Sequence, residues 1–170
     1  MEQNMIISSE KLEARIQQIS KQMSTDYEGK EIDIVCVVNS GTFFCVDLVR
    51  QLKVPVRLHY LSFTSYSQTN NTGEVKIQLD IADVLEGKNI IIMEGIVVSG
   101  RTPKYIFDYL KLRNPASIEY CAIGMKPKIL AVELSVKYCA FEFEPDVMVA
   151  GYGIGKGFEK SLPHLVSSKS

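Results

Sequence analysis

Between residues 89 and 106 the chain reads NIIIMEGIVVSGRTPKYI, and the polar residues inside that stretch are of types that could do chemistry. An apolar run, Ile90-Ile91-Ile92-Met93, leads into Glu94-Gly95; after three aliphatic residues come Ser99, Gly100, Arg101 and Thr102. A strand that ends in a turn of small residues and feeds a helix leaves several backbone N–H groups without partners, aimed outward. Ser99 and Thr102 add hydroxyl donors, and Gly100 lets an oxygen approach the backbone. Thr102 suits an N-cap, with Pro103 behind it at the first helical position. Arg101 either adds charge or points to solvent. Such a set can hold a phosphate. It reads equally as a plain strand-to-helix turn with a hydroxyl cap, and these residues alone leave both readings open. No Walker-type Gly-rich loop ending in Lys and Ser or Thr occurs anywhere in the chain. In the mouth of the loop stands Val98, an aliphatic residue directly before the polar ones.

The elements that must position this loop follow from hydrophobic periodicity. Ser8 or Ser9 caps a first helix, in which Leu12, Ile16, Ile19 and Met23 recur at helical steps. IDIVCVV, residues 32–38, reads as a buried strand because short β-branched runs rarely make helices. GTFFCVDLVRQL then has helical spacing, and VPVRLHYL returns to strand. This alternation predicts an α/β domain with a mostly parallel sheet flanked by helices. Residues 62–74, SFTSYSQTNNTGE, are polar and form either a functional flap or a disordered excursion. Strands follow at VKIQLD, 89–94, 117–123 and 137–143, with a helix over 103–112. The tail after Pro163 reads as polar and loosely held.

At 170 residues, 1–170 forms one domain by length, large enough to bury a core without staples. A net charge of −1 gives no global handle on nucleic acid or on an anionic membrane, so neither is an expected partner; small anionic ligands stay open. Cys36, Cys45, Cys121 and Cys139 lie in apolar stretches without Cys-x-x-Cys spacing, which favours buried thiols over disulfides or metal ligands. His59 and His164 are far apart without partner acids in sequence, which argues against a transition-metal site. MEQNMIISSEKLEARI lacks a signal pattern and no apolar run reaches spanning length, so the cytoplasm is the expected address.

Four stretches, in order, resemble type I phosphoribosyltransferases of the hypoxanthine/guanine branch. The apolar strand, acid, aliphatics and Ser-Gly-x-Thr of 89–102 are similar to that family's phosphoribosyl-diphosphate signature. LSFTSY looks like the Ser-Tyr of its flexible loop, AIGMKP like the strand end with the purine-reading Lys, and EPDVMVAGYGIG like the segment beneath the base. The resemblance covers residues 8–165 and implies a mostly parallel twisted sheet flanked by helices, with a flexible loop and a small base-binding hood. It also implies purine salvage: hypoxanthine or guanine joined to phosphoribosyl diphosphate by a glycosyl transfer.

The resemblance assigns roles residue by residue. In the family, two consecutive acids hold the ribose 2′- and 3′-hydroxyls beside the diphosphate and its Mg²⁺; Glu94 matches the first, and Gly95 replaces the second. Val98 occupies the place of the general base or acid acting on purine N7. An aliphatic side chain moves no proton, and losing such a group removes about 10²–10⁴ in rate. Ser99, Gly100, Arg101 and Thr102 match the 5′-phosphate seat. Lys126 matches the donor to the purine 6-oxo group, with a surface Lys beside Pro127 as the plainer reading. Met148 stands where an aromatic ring stacks on the purine, and Val149 would supply backbone contacts to its edge. Ser65 and Tyr66 match the flexible loop, while Asn39, Ser40 and Gly41 stand where a basic residue and Gly meet diphosphate. Gly155 replaces a second diphosphate-side Asp. Mg²⁺ is implied only as an ion held mainly through ligand oxygens. The expected ligand is a purine nucleotide or phosphoribosyl diphosphate, and the expected assembly a homo-oligomer, dimer or tetramer. Two functions are expected: an impaired purine phosphoribosyltransferase, or a catalytically silent purine-nucleotide-binding regulatory module.

Overall fold

The structure, a computed structural model, describes residues 4–65 and 75–167. Helix α1 (Ser9–Asp26) begins where Ser8 takes an extended conformation and its Oγ accepts from Lys11 N at 3.3 Å. The predicted stripe of Leu12, Ile16, Ile19 and Met23 is buried. Strand β2 spans Ile32–Val38, as its β-branched run requires, and α2 covers Thr42–Val49. Then come β3 (Val56–Ser65), β4 (Val75–Leu79), β5 (Asn89–Val97), α3 (Arg101–Lys111), β6 (Ser117–Met125), β7 (Tyr138–Glu142), β8 (Val149–Ala150) and β9 (Leu165–Ser167).

Six strands form a sheet in the order β4-β3-β2-β5-β6-β7, parallel throughout except for β4, which pairs antiparallel at one edge. Strands β2 and β5 are central and buried on both faces, hence the apolar runs 34–38 and 90–93 within them. Helices α1 and α2 cover one face through Leu12, Ile16, Phe44 and Leu48, packed on Ile34, Cys36, Ile91 and Met93. On the other face Ile106 and Leu110 of α3 pack with Val35, Ile90, Ile92 and Tyr120. The parallel register sets Cys36 opposite Met93, so the loops leaving β2 and β5 emerge side by side.

Three expectations are corrected. The tail after Pro163 is not loose: Leu165–Ser167 is β9, with Leu165 and Val166 buried. It pairs antiparallel with β8 and with an N-terminal strand the sequence did not suggest, β1 (Asn4–Ile7), to make a separate three-stranded sheet. Residues 62–65 of the polar stretch are strand, because β3 runs on to pair with β4; Tyr66 and 66–74 lie outside the described residues. His59 does have partner acids: buried on β3, its Nε2 lies 2.8 Å from Asp33 Oδ1 and its Nδ1 3.1 Å from Asp83. Its partners come from other segments of the chain, invisible to linear spacing.

Candidate ligand site at the carboxyl ends of the strands

Asn39–Gly41, Ser99–Thr102 and Lys126 follow the ends of β2, β5 and β6, the position at which open α/β sheets bind ligands. After a cis Val38–Asn39 peptide, Asn39 and Ser40 lead to Gly41, whose N–H returns to Val37 O at 3.1 Å. A Cβ on Gly41 would fall 2.8 Å from Met93 O and 3.1 Å from Glu94 Cα, so only glycine lets this loop lie flat on β5. Gly95 shows the converse. A Cβ there would lie 2.8 Å from Ser40 Cβ and 3.1 Å from Ser40 Oγ, because the serine side chain fills the space above it. The turn after β8 reaches the same loop, with Gly153 close to Ser40 O.

The loop after β5 turns at Gly100, which has φ +75° and caps α3. A residue with a side chain is strained in that conformation, and a Cβ would also press on Val132 and Leu130 at 3.1 and 3.2 Å. The helix therefore starts earlier than expected. Thr102 is not the N-cap but the second helical residue, and Pro103 is the third, where its missing N–H still removes no helix bond. The first helical bond is Lys104 N to Gly100 O at 2.9 Å. Ser99 O accepts from Ala131 N at 2.9 Å, which buttresses the turn from the segment after β6. Among the described residues the N–H groups of Ser99, Gly100 and Thr102 have no protein acceptor, and Arg101 is exposed. Val98 is 44% exposed and faces away from the core.

Glu94 is partly buried in the second half of β5, and its Oε2 accepts a short hydrogen bond from the Tyr120 hydroxyl on β6. Burial pushes this carboxyl up to about 7, with the Tyr120 donor pulling the other way. Tyr120, fully buried, has its own hydroxyl pushed well above the usual range by burial and by the Glu94 carboxylate. Sequence reading missed Tyr120. Its signal was a phenol inside a buried strand, which must find a partner for its hydroxyl. Lys126 is no surface residue: it is 5% exposed, and its Nζ donates to Pro145 O at 3.0 Å. That bond ties the end of β6 to the segment leading to Met148, 55% exposed, and Val149, partly buried at the start of β8. Ser65 lies at the end of β3.

What the arrangement can do is divided. The loop offers three backbone donors and two hydroxyls to an anion, and Lys126 offers a buried amine. Acidic groups are scarce. Gly155 sits at φ +103°, where any side chain is strained, and the space above Gly95 is taken by Ser40. One carboxylate, half engaged by Tyr120, is a donor set that does not by itself fit Mg²⁺, and among the described residues no cluster of three or more His, Cys, Asp or Glu could hold a metal. Among them, too, no helix is long and apolar enough to cross a membrane.

Comparison with known proteins agrees with this geometry. The phosphoribosyl transferase domain family matches residues 2–151. The hypoxanthine phosphoribosyltransferase of Haemophilus influenzae is 36% identical over 155 residues, 89% of this chain and 86% of its own length. A hypoxanthine-guanine phosphoribosyltransferase structure from Bacillus anthracis superposes with a TM-score of 0.88 at 31% identity, covering 96% of both chains. The hypoxanthine phosphoribosyltransferase of Trypanosoma cruzi, solved with the product IMP, superposes with a TM-score of 0.90 at 26% identity over 99% of this chain and 94% of that one.

Proposed function

The chain belongs to the phosphoribosyltransferase family, in its hypoxanthine/guanine branch, and we propose that it is a single-domain purine-salvage protein that binds a purine nucleotide or phosphoribosyl diphosphate while its transfer chemistry is impaired. In this reading the N–H groups of Ser99, Gly100 and Thr102, with the two hydroxyls, seat the 5′-phosphate. Glu94 accepts from the ribose hydroxyls. Lys126 turns its amine to the 6-oxo group of the base, Met148 covers the ring face, and Val149 meets the base edge through its backbone. Asn39, Ser40 and Gly41 line the diphosphate side, and Ser65 ends β3.

The observation that carries the impaired reading is the contrast between the loop and its surroundings. The anion seat has open donors, while Val98 carries no proton and the space over Gly95 belongs to Ser40. A purine N7 proton then has no acceptor at Val98, and Gly95 supplies no carboxylate that would help hold a Mg²⁺ ion against the departing diphosphate. A transferase assay with Mg²⁺, phosphoribosyl diphosphate and each of hypoxanthine, guanine and xanthine tests this, run beside titrations with IMP, GMP and XMP. Micromolar nucleotide binding with slow but measurable turnover supports it; turnover at ordinary enzymatic rates overturns it.

One observation favours a second reading, a silent module that binds a purine nucleotide to regulate a partner. Neither Gly95 nor Gly155 can simply regain a side chain, the first because of Ser40 and the second because of its backbone. Their surroundings are built for glycine. Complete absence of turnover in that assay, with nucleotide binding intact, selects the regulatory reading.

A further inference from the structure

The Tyr120–Glu94 bond crosses from one strand to its neighbour. The register sets Ala122 opposite Glu94 and Tyr120 opposite Ile92, so the phenol reaches Glu94 diagonally from one layer further down the sheet. Tyr120 itself is locked, wholly buried among Ile92, Ile106 and Leu110 beneath α3. Its hydroxyl makes one hydrogen bond among the described residues, to Glu94 Oε2. The other carboxyl oxygen is different. Glu94 Oε1 has no protein partner among those residues, and the residue is partly exposed. It is the carboxyl oxygen left available on β5, which leads into the Ser99–Thr102 loop. A glutamate side chain turns about three torsions, and a strand by itself would fix none of them; the phenol does so from a rigid base.

We propose that Tyr120 is a positioning residue for ligand binding: by holding Glu94 Oε2 it fixes Oε1 as the atom that reads the ribose hydroxyls. This rests on the nucleotide reading above. The bland account is that Glu94 is there to satisfy a buried phenol, and it predicts loss of stability with no change in ligand preference.

The test compares GMP with 2′,3′-dideoxyguanosine 5′-monophosphate by calorimetric titration of the wild type and of Tyr120→Phe. The substitution removes one oxygen and keeps the packed ring. The wild type should prefer GMP by about fivefold or more, the worth of one hydrogen bond. In Tyr120→Phe the dideoxy ligand should bind as before while the preference falls to within about twofold. Equal weakening of both ligands, or an unchanged preference, overturns the assignment and leaves the nucleotide reading standing. Failure of GMP to bind the wild type overturns the nucleotide reading and this inference with it. A crystal structure of the wild type with GMP tests the same point without a variant. Glu94 should contact the ribose through Oε1 with Oε2 still on Tyr120, and a carboxyl swung clear of Tyr120 overturns the proposal.

Discussion

Ser40 and a side chain at Gly95 would occupy the same space. The serine Cβ and Oγ lie 2.8 and 3.1 Å from where a Cβ on Gly95 would sit, and Ser40 O lies at 3.0 Å. Ser40 comes from the loop after β2 and Gly95 from within β5, and a side chain at Gly95 needs Ser40 to give way. Gly95→Asp should therefore lower stability by about 1–3 kcal/mol, the usual cost of overpacking, and gain no activity. Ser40→Gly removes two of the three close contacts, so the double variant should recover most of the loss. Urea unfolding of the two singles and the double closes the cycle.

Val98 is the simpler position. Its side chain is 44% exposed, so Val98→Asp should change stability by no more than about 0.5 kcal/mol, as surface substitutions do. Catalytic groups act as a unit, and one acid alone should restore little turnover. The combination Ser40→Gly, Gly95→Asp and Val98→Asp should raise transfer above Val98→Asp and above Gly95→Asp, measured as nucleotide formed from guanine and phosphoribosyl diphosphate.

Glu94 gives the protein a pH dependence of definite sign. Its carboxyl titrates at about 7 when folded, against 4.5 in an ordinary side chain. A raised value means the folded state binds the proton more tightly. The resulting stability is full below about 4.5 and lost as pH climbs through about 7, by on the order of 3 kcal/mol. Unfolding free energies across that window should fall for the wild type and run flatter for Glu94→Gln.

Lys126 can donate but not accept, so it complements a 6-oxo group and opposes the 6-amino group of adenine. Wild-type affinity for IMP should exceed that for AMP by on the order of 10²-fold. In Lys126→Gln, whose amide both donates and accepts, the ratio should fall below about tenfold. Equal wild-type affinities for IMP and AMP would take Lys126 out of this role.

With one half-engaged carboxylate near the anion seat, monophosphate binding should not need a divalent ion. The dissociation constant of GMP should agree within about twofold in Mg²⁺ and in EDTA, because the seat is made of backbone donors and hydroxyls rather than charged ligands.

The elements that carry the site were legible because each is locally encoded. IDIVCVV could only be a buried strand, and Ile32–Val38 is β2; the apolar run into Glu94-Gly95 is β5, and the Ser8 cap with its Leu12–Met23 stripe is α1. The start of α3 was misplaced because Pro103 is tolerated anywhere in a first turn, while the feature that sets the boundary is the left-handed backbone at Gly100. Strands β1 and β9 left no periodic signal, being four and three residues long and formed by pairing within the sheet β1-β9-β8. Ser40 over Gly95, Tyr120 on Glu94 and the acids around His59 are contacts between distant segments, and nothing in local spacing encodes them.

The pairing of β1 with β9 has a consequence for the order of events during synthesis. A ribosome delivers β2, β3, β5 and β6 early, so the parallel sheet with its anion loop can assemble while the rest of the chain is still being made. Strand β1, although first out, has to wait for Leu165–Ser167, and β8 gains its neighbour only then. The segment that carries Met148 and Val149 is thus the last to settle, and a nascent chain halted after β7 would have its phosphate seat but not the three-stranded sheet.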